Sequence, residues 1–215
     1  MQNSLVSRIF TENTVKMKEM LKTPIVIYAE ITPNPASMKF VADRMLINNG
    51  MTLQYLSPSE TKGSPLAARL FQFPFIKGVF ISSNFVTITI NDSVAWEDVT
   101  MELRDFLTNF ISEGNEIMKE IPQSENQFSG AAEHVLPVTE DEQKIVDILD
   151  EYIRPAVEQD GGLITFKSFK DGIVTVVLKG SCSGCPSSTL TLKAGIEGLL
   201  KRMVPEVKEV VSEAM

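Results

Sequence analysis

Residues 180–200 read GSCSGCPSSTLTLKAGIEGLL and contain both cysteines of the chain, Cys182 and Cys185. The apolar run from Ile173 to Leu178 before them predicts a strand that is buried on both faces. Pro186 follows the second cysteine and is typical of the first helical position, so a long helix is predicted to begin there. Its buried stripe is predicted to comprise Leu192, Ile196, Leu199 and Met203.

A loop between a buried strand and a helix start favours reactive thiols. The unpaired N–H groups and the positive end of the helix favour thiolate, which is the form that binds metal or attacks a disulfide. Gly180 and Gly184 allow the backbone to wrap closely around whatever the sulfurs hold. Because Ser181 and Ser183 are small, we expect the sulfurs to be open to solvent or to a partner.

The number of thiols limits the kind of site. Zinc and iron–sulfur sites prefer four ligands, commonly four thiolates, and this chain has two cysteines. The single histidine, His134, lies in a predicted linker and is expected to be solvated, so it supplies no Cys₂His₂ site. A closed four-thiolate site therefore requires a second copy of the chain. Thiol–disulfide exchange needs only the pair, so spacing alone leaves zinc, iron–sulfur and redox chemistry open. A buried, inert pair is less favoured, because the motif is flanked by glycines.

The cysteines belong to a predicted C-terminal unit, residues 139–215. Thr139 and Glu142 form a capping box at the start of a helix. Its predicted buried face comprises Ile145, Ile148, Leu149, Tyr152 and Ile153. Pro155 is expected to bend or end this helix, and Gly161–Gly162 closes it. Strands are predicted over 163–169 and 173–178, joined by an Asp171–Gly172 hairpin turn, and a short strand over 207–211 ends the unit.

A second unit, residues 23–112, also has an α+β pattern. The run 25–31 predicts a strand, Ser64–Pro65 a helix start, and 78–81 with 85–90 a hairpin. Apolar residues at helical spacing predict a further helix, with a stripe of Trp96, Val99, Leu103, Phe106 and Phe110. Residues 113–138 are polar and are read as a flexible linker, and 1–22 as an N-terminal extension. The predicted fold class is thus α+β, with two small domains, the second ordered helix–hairpin–CxxC loop–helix–strand.

Composition narrows the choice of partner and compartment. The net charge is −8 and no stretch concentrates Lys or Arg, which argues against nucleic acid. No apolar run approaches a membrane span, and two cysteines in 215 residues do not make a secreted disulfide scaffold. We read no signal peptide and expect a reducing cytoplasm.

Two segments of the C-terminal unit, RPAVEQDGGLITF at 154–166 and GSCSGCPSSTLTLKAGIEGLLKRMVPEV at 180–207, closely resemble the cysteine domain of the NifU-like, or Nfu-type, iron–sulfur cluster scaffold and carrier proteins. In the first unit, TPNPASMKF at 32–40, SPLAARLFQFPFIKGVFIS at 64–82 and NFVTIT at 84–89 look like the Nfu N-terminal domain. The chain departs from the family pattern at Leu163, Ala36 and Met38.

The resemblance implies a non-enzymatic carrier. Cys182 and Cys185 of two subunits would share one [4Fe–4S] cluster, with [2Fe–2S] as the other cluster type. The implied partners are a second copy bound through the CxxC domain, an upstream cluster-assembly scaffold and apo iron–sulfur client proteins. The alternative drawn from the residues is a thiol–disulfide oxidoreductase that uses the CxxC pair.

Overall fold

The structure, a computed structural model, describes residues 23–48, 50–119, 136–183 and 186–214. The predicted extension 1–22 and most of the predicted linker lie outside these residues. The first unit has five strands: β1 (Ile27–Ile31), β2 (Ser37–Ala42), β3 (Thr52–Tyr55), β4 (Ile76–Ser82) and β5 (Phe85–Ile90). They form an antiparallel sheet in the order β1-β2-β5-β4-β3.

Two helices cover one face of this sheet, and local chemistry starts the first of them. Helix α1 (Pro65–Leu70) begins as predicted: Ser64 accepts the Ala67 N–H at its N-terminus, and Pro65 fills the first turn. Helix α2 (Trp96–Ser112) buries Val99, Leu103, Leu107 and Phe110. Trp96 and Phe106, predicted to lie within the stripe, are only partly buried.

The second unit has the predicted order of elements. Helix α3 (Glu140–Ile148) has the Thr139–Glu142 capping box, a π-helical turn spans Leu149–Ile153, and α4 (Arg154–Gln159) follows. Strands β6 (Gly162–Lys170) and β7 (Ile173–Gly180) form an antiparallel hairpin, with Asp171 and Gly172 at positive φ in the turn. Helix α5 (Pro186–Met203) then crosses to β8 (Glu209–Ala214), which pairs parallel to β7.

Three burial predictions for this unit are wrong. Tyr152 is 50% exposed. The π-helical turn adds a residue to the repeat, which rotates Tyr152 off the buried face. The turn ends at Ile153, two residues before Pro155, whose missing N–H cannot continue the regular ladder. Met203 is 43% exposed, because Leu200 and Val204 occupy the buried face at that end of α5. Strand β7 is not buried on both faces: Val174, Val176 and Leu178 are buried, whereas Ile173 is exposed and the residues between are intermediate.

Strands β2 and β3 had no prediction from the sequence. All six residues of β2 are buried, so the strand lacks the alternation that marks a half-exposed strand. Met38, Phe40 and Ala42 face the helices and belong to the first core. The intervening residues, Ser37, Lys39 and Val41, point to the opposite face of the sheet, which is also covered.

The second unit covers that opposite face. Leu163 of β6 packs in a separate apolar cluster with Val41, Phe80 and Phe85 of the first sheet. Leu163 is one of the positions where the chain departs from the family pattern, and here it joins the two units. None of the helices in the described part of the chain has the length and apolar character that a membrane span requires.

Candidate functional site

Cys182 lies two residues beyond the end of β7, in the turn that precedes α5. It is 8% exposed and belongs to the apolar core of the second unit. Cys185, the second predicted ligand, lies outside the described residues, as do Gly184 and His134.

The expectation of an open sulfur is wrong for Cys182. Ser181 is itself only 2% exposed, and its hydroxyl donates to the Asp160 carbonyl oxygen. Its N–H donates to the Gly161 carbonyl oxygen at 3.2 Å. These bonds draw the start of the cysteine loop onto the turn between α4 and β6. The small side chain of Ser181 therefore serves to anchor the loop, not to leave it accessible.

Gly162 lies directly against the Cys182 side chain. A Cβ atom at Gly162 would be 2.8 Å from the Cys182 sulfur and 2.8 Å from the Lys179 carbonyl oxygen. Only a residue without a side chain allows β6 to pass the sulfur at this distance. The Gly161–Gly162 pair thus has two functions: Gly161, at φ +79°, ends the helix as predicted, and Gly162 makes room for the sulfur.

A cavity of about 460 Å³ lies beside Cys182. Its lining comes from both units of the chain, with a loop of the first unit facing the cysteine loop and the start of α5. The lining residues are Pro33, Asn34, Asp160, Ser181, Cys182, Thr191 and Leu192. The cavity gives the sulfur a space in which a small inorganic group can be held.

Two carboxyl groups near the site resist ionisation. Burial raises the pKa of the Asp160 carboxyl, and the positive charge of Lys39 only partly offsets this effect. Burial likewise raises the pKa of the Glu158 carboxyl, against the opposing charges of Arg154 and Lys39. Lys39 is 8% exposed, and its ammonium lies 3.3 Å from a Glu30 carboxylate oxygen.

Among the residues that the structure describes, no group of three or more His, Cys, Asp or Glu side chains is arranged to hold a metal ion. The described part of the site is therefore one thiol, its anchors and the adjoining cavity. Sequence reasoning identified Cys182, but it missed Gly162, whose only signal was its place in the Asp-Gly-Gly segment. It also missed Asn34 as part of the site, since nothing local connects a residue near the N-terminus with one 147 positions later.

Two family models together match most of the chain. The model described as "Scaffold protein Nfu/NifU N terminal" matches residues 27–114, and the one described as "NifU-like domain" matches residues 145–211. Each match falls on one of the two structural units.

Curated relatives match across both units. The protein named "NFU1 iron-sulfur cluster scaffold homolog, mitochondrial" from Homo sapiens is 35% identical over 185 residues, which cover 86% of this chain and 70% of the relative. The protein of the same name from Drosophila persimilis is 34% identical over 190 residues, which cover 88% of this chain and 65% of the relative. The chain thus spans about two thirds of the length of these relatives. A solution NMR structure of a NifU-like protein from Saccharomyces cerevisiae is 25% identical, with a TM-score of 0.39, and the match covers 46% of this chain and 87% of that one.

Proposed function

The chain belongs to the Nfu/NifU family, and from this premise we propose that it is an iron–sulfur cluster scaffold and carrier that holds a cluster on Cys182 and Cys185 and passes it to apo-proteins. The cluster is cargo, bound and released unchanged, so the protein need not catalyse a reaction. The names of the relatives, both iron–sulfur cluster scaffold homologs, support this function.

One observation carries the proposal: the Cys182 sulfur is held against a cavity by a backbone that is shaped around it. Gly162 makes room for the sulfur, Ser181 anchors the loop, and the cavity opens beside the thiol. A redox disulfide needs no such cavity, whereas an inorganic cluster needs both the thiolate and the adjoining space.

We propose further that two copies of the chain share one cluster. Iron–sulfur clusters are commonly held by four thiolates, and this chain has two cysteines, so two chains together supply the full set. The proposed cargo is [4Fe–4S], with [2Fe–2S] as the second cluster type that the same four ligands accept. A shared cluster can be released by separating the subunits, which suits a carrier more than a closed site within one chain does.

The partners follow from the same chemistry. An upstream assembly scaffold supplies the cluster, and apo iron–sulfur clients accept it. The cytoplasmic location expected from the sequence stays a prediction. The word "mitochondrial" in the names of the relatives describes the location of those proteins.

Anaerobic reconstitution of the full chain with iron and sulfide tests the proposal. We expect a brown protein with one cluster per two chains by native mass spectrometry and by iron and sulfide counting, and faster activation of apo-aconitase than free iron and sulfide give. Cys182→Ser and Cys185→Ser should each abolish the stable cluster, while Ser59→Ala, an exposed serine in the first unit, should retain it.

Three results would contradict this reading. One cluster per single chain would rule out sharing between subunits. Zinc without iron in elemental analysis would identify a different metal site. A colourless protein that reduces insulin, and loses this activity on Cys185→Ser, would establish the thiol–disulfide oxidoreductase instead.

A further inference from the structure

The first sheet uses its helix-free face to bind the second unit of the same chain. Side chains that alternate with the first core along β2, β3, β4 and β5 point to this face and contact the segments 159–163 and 180–181. The direct contacts come from Asn34, Lys39, Gln54, Phe80 and Thr87, with Val41 and Phe85 packing on Leu163. Both contacted segments adjoin Cys182, so the docking surface lies at the cysteine loop itself.

Asn34 contacts the residue directly before Cys182. Its amide nitrogen donates to the Ser181 carbonyl oxygen at 2.9 Å, and this oxygen belongs to the peptide bond that leads into Cys182. The Asn34 side-chain oxygen accepts the Ala36 N–H at 3.0 Å, which fixes the orientation of the amide. Asn34 is 6% exposed, so both bonds are shielded from water.

The loop that presents Asn34 is itself held from the first unit. The indole N–H of Trp96 donates to the Pro35 carbonyl oxygen at 3.0 Å, and the Ser37 N–H donates to the Asn34 carbonyl oxygen at 2.9 Å. The Thr32 hydroxyl lies within hydrogen-bond distance of the Asn34 carbonyl oxygen as well. Two prolines flank Asn34 and restrict its backbone. These bonds therefore hold the loop in the conformation in which the Asn34 amide donates to the cysteine loop.

Glycines on the second unit permit the close approach. The Thr87 hydroxyl donates to the Gly161 carbonyl oxygen at 2.7 Å, and a Cβ at Gly161 would lie 2.8 Å from that hydroxyl oxygen. A Cβ at Gly180 would lie 2.9 Å from the Phe80 ring. The Gly180 N–H also donates to the Gln54 side-chain oxygen at 2.9 Å. Side chains of the first unit thus lie directly against the backbone of the second unit at Gly161 and Gly180.

We propose that the first unit docks on the cysteine loop of its own chain and that Asn34 is a positioning residue for Cys182. The docked unit fixes the Ser181–Cys182 peptide, forms one wall of the cavity and shields the thiol. As far as it concerns cargo, this inference rests on the proposed function. The docking itself concerns only the apo chain and can be tested without any cluster.

The thiol test uses the full chain with Cys185→Ser, which leaves Cys182 as its single cysteine. In this background, Asn34→Asp keeps the oxygen that accepts the Ala36 N–H but places a second oxygen against the Ser181 carbonyl. Because the donor is lost and two acceptors then face each other, we expect Cys182 to react with iodoacetamide about tenfold faster. Thr87→Val, which removes another interdomain donor, should also raise the rate.

Asn91→Asp is the matched control. The Asn91 side-chain oxygen accepts the Ser93 N–H at 2.9 Å, and its amide nitrogen donates to the Pro74 carbonyl oxygen at 3.3 Å, so it makes the same pair of bonds within the first unit. This variant should leave the Cys182 rate unchanged. Trp96 fluorescence and circular dichroism confirm that each variant is folded. Equal rates in Asn34→Asp, Asn91→Asp and the parent would overturn the proposal.

A second measurement separates docking from cargo binding. In the chain with both cysteines, Asn34→Asp should lose a reconstituted cluster to a chelator several-fold faster than Asn91→Asp does. If the parent chain holds no cluster at all, the proposed function fails. The rates at which Cys182 reacts with iodoacetamide then still test whether the first unit docks on the cysteine loop. If clusters form and both variants lose them equally, Asn34 does not position the bound form, and its role as a positioning residue for cargo is overturned.

Discussion

The contact between Gly162 and the Cys182 sulfur gives the sharpest prediction, and the perturbation is Gly162→Ala. The added Cβ would lie 2.8 Å from the sulfur and 2.8 Å from the Lys179 carbonyl oxygen, whereas ordinary contacts of this kind lie at 3.4–4 Å. Either the sulfur and the β7 backbone move by about 0.6 Å or the Cβ is compressed. Because one of the opposing atoms is backbone in a paired strand, the strain cannot be relieved by rotating a side chain.

The magnitude follows from two opposing terms. Overpacking of a well-packed site costs about 1–3 kcal/mol, and replacing glycine by alanine recovers about 0.4–1 kcal/mol by restricting the unfolded chain. The free energy of unfolding should therefore fall by about 1–2 kcal/mol, which corresponds to a melting temperature lower by roughly 3–6 °C in a chain of this size. Thermal melts followed by circular dichroism measure this directly.

Gly198→Ala is the matched control, since it makes the same chemical change elsewhere in the second unit. Gly198 is an exposed position within α5, and a Cβ there meets nothing within 4 Å. Alanine in an exposed helix interior is better than glycine by up to about 1 kcal/mol, so this variant should melt above the wild type. A Gly162→Ala protein that is as stable as the wild type, with unchanged reactivity of Cys182, would refute the reasoning.

Three further substitutions test the local physics. Ser64→Ala should lower the free energy of unfolding by about 2 kcal/mol and Thr139→Ala by about 1 kcal/mol in urea titrations. The first cap is buried and its hydroxyl also donates to the Ile117 carbonyl oxygen, whereas the second is exposed, so equal losses would contradict this account. Burial raises the pKa of the Glu158 carboxyl, so its ionisation opposes folding as pH rises through that pKa. Glu158→Gln should therefore have the same melting temperature as the wild type below about pH 4 and a higher one at about pH 7. A difference in melting temperature that does not vary with pH would contradict this direction.

Local sequence rules predicted the elements whose causes are local. The caps at Ser64 and Thr139 and the Asp171–Gly172 turn each depend on neighbours within four residues, and all three form as expected. Pro155 predicted a bend, and a π-helical turn ends two residues before it, at Ile153. The exposed position of Tyr152 could not be predicted, because the size of the inserted turn depends on how the helix packs.

Strand β2 shows why the rest could not be read from the sequence. Its SMKFVA segment is buried on both faces, one against the helices of its own unit and the other against the second unit. A lysine in such a strand, Lys39, argues locally for exposure, yet its ammonium donates to the Gln159 carbonyl oxygen 120 positions later. Contacts between distant parts of the sequence also limited the prediction of the site. The thiol was identified from the spacing of the cysteines, whereas Asn34 was not, because its partner is set by the docking of the two units.

Four hydrogen bonds between the units share a feature. On the first unit, these hydrogen bonds come from side chains: Asn34, Lys39, Gln54 and Thr87. On the second unit, the partners in these four bonds are backbone groups between positions 159 and 181. These four bonds therefore depend on the path of the backbone at the cysteine loop, while the fit of Leu163, Gly161 and Gly180 depends on the residue at each position. A movement of this backbone, as we expect on the proposed seating of a cluster on Cys182, would alter these bonds. We therefore expect occupancy of the thiol and attachment of the first unit to be coupled through the geometry of this loop.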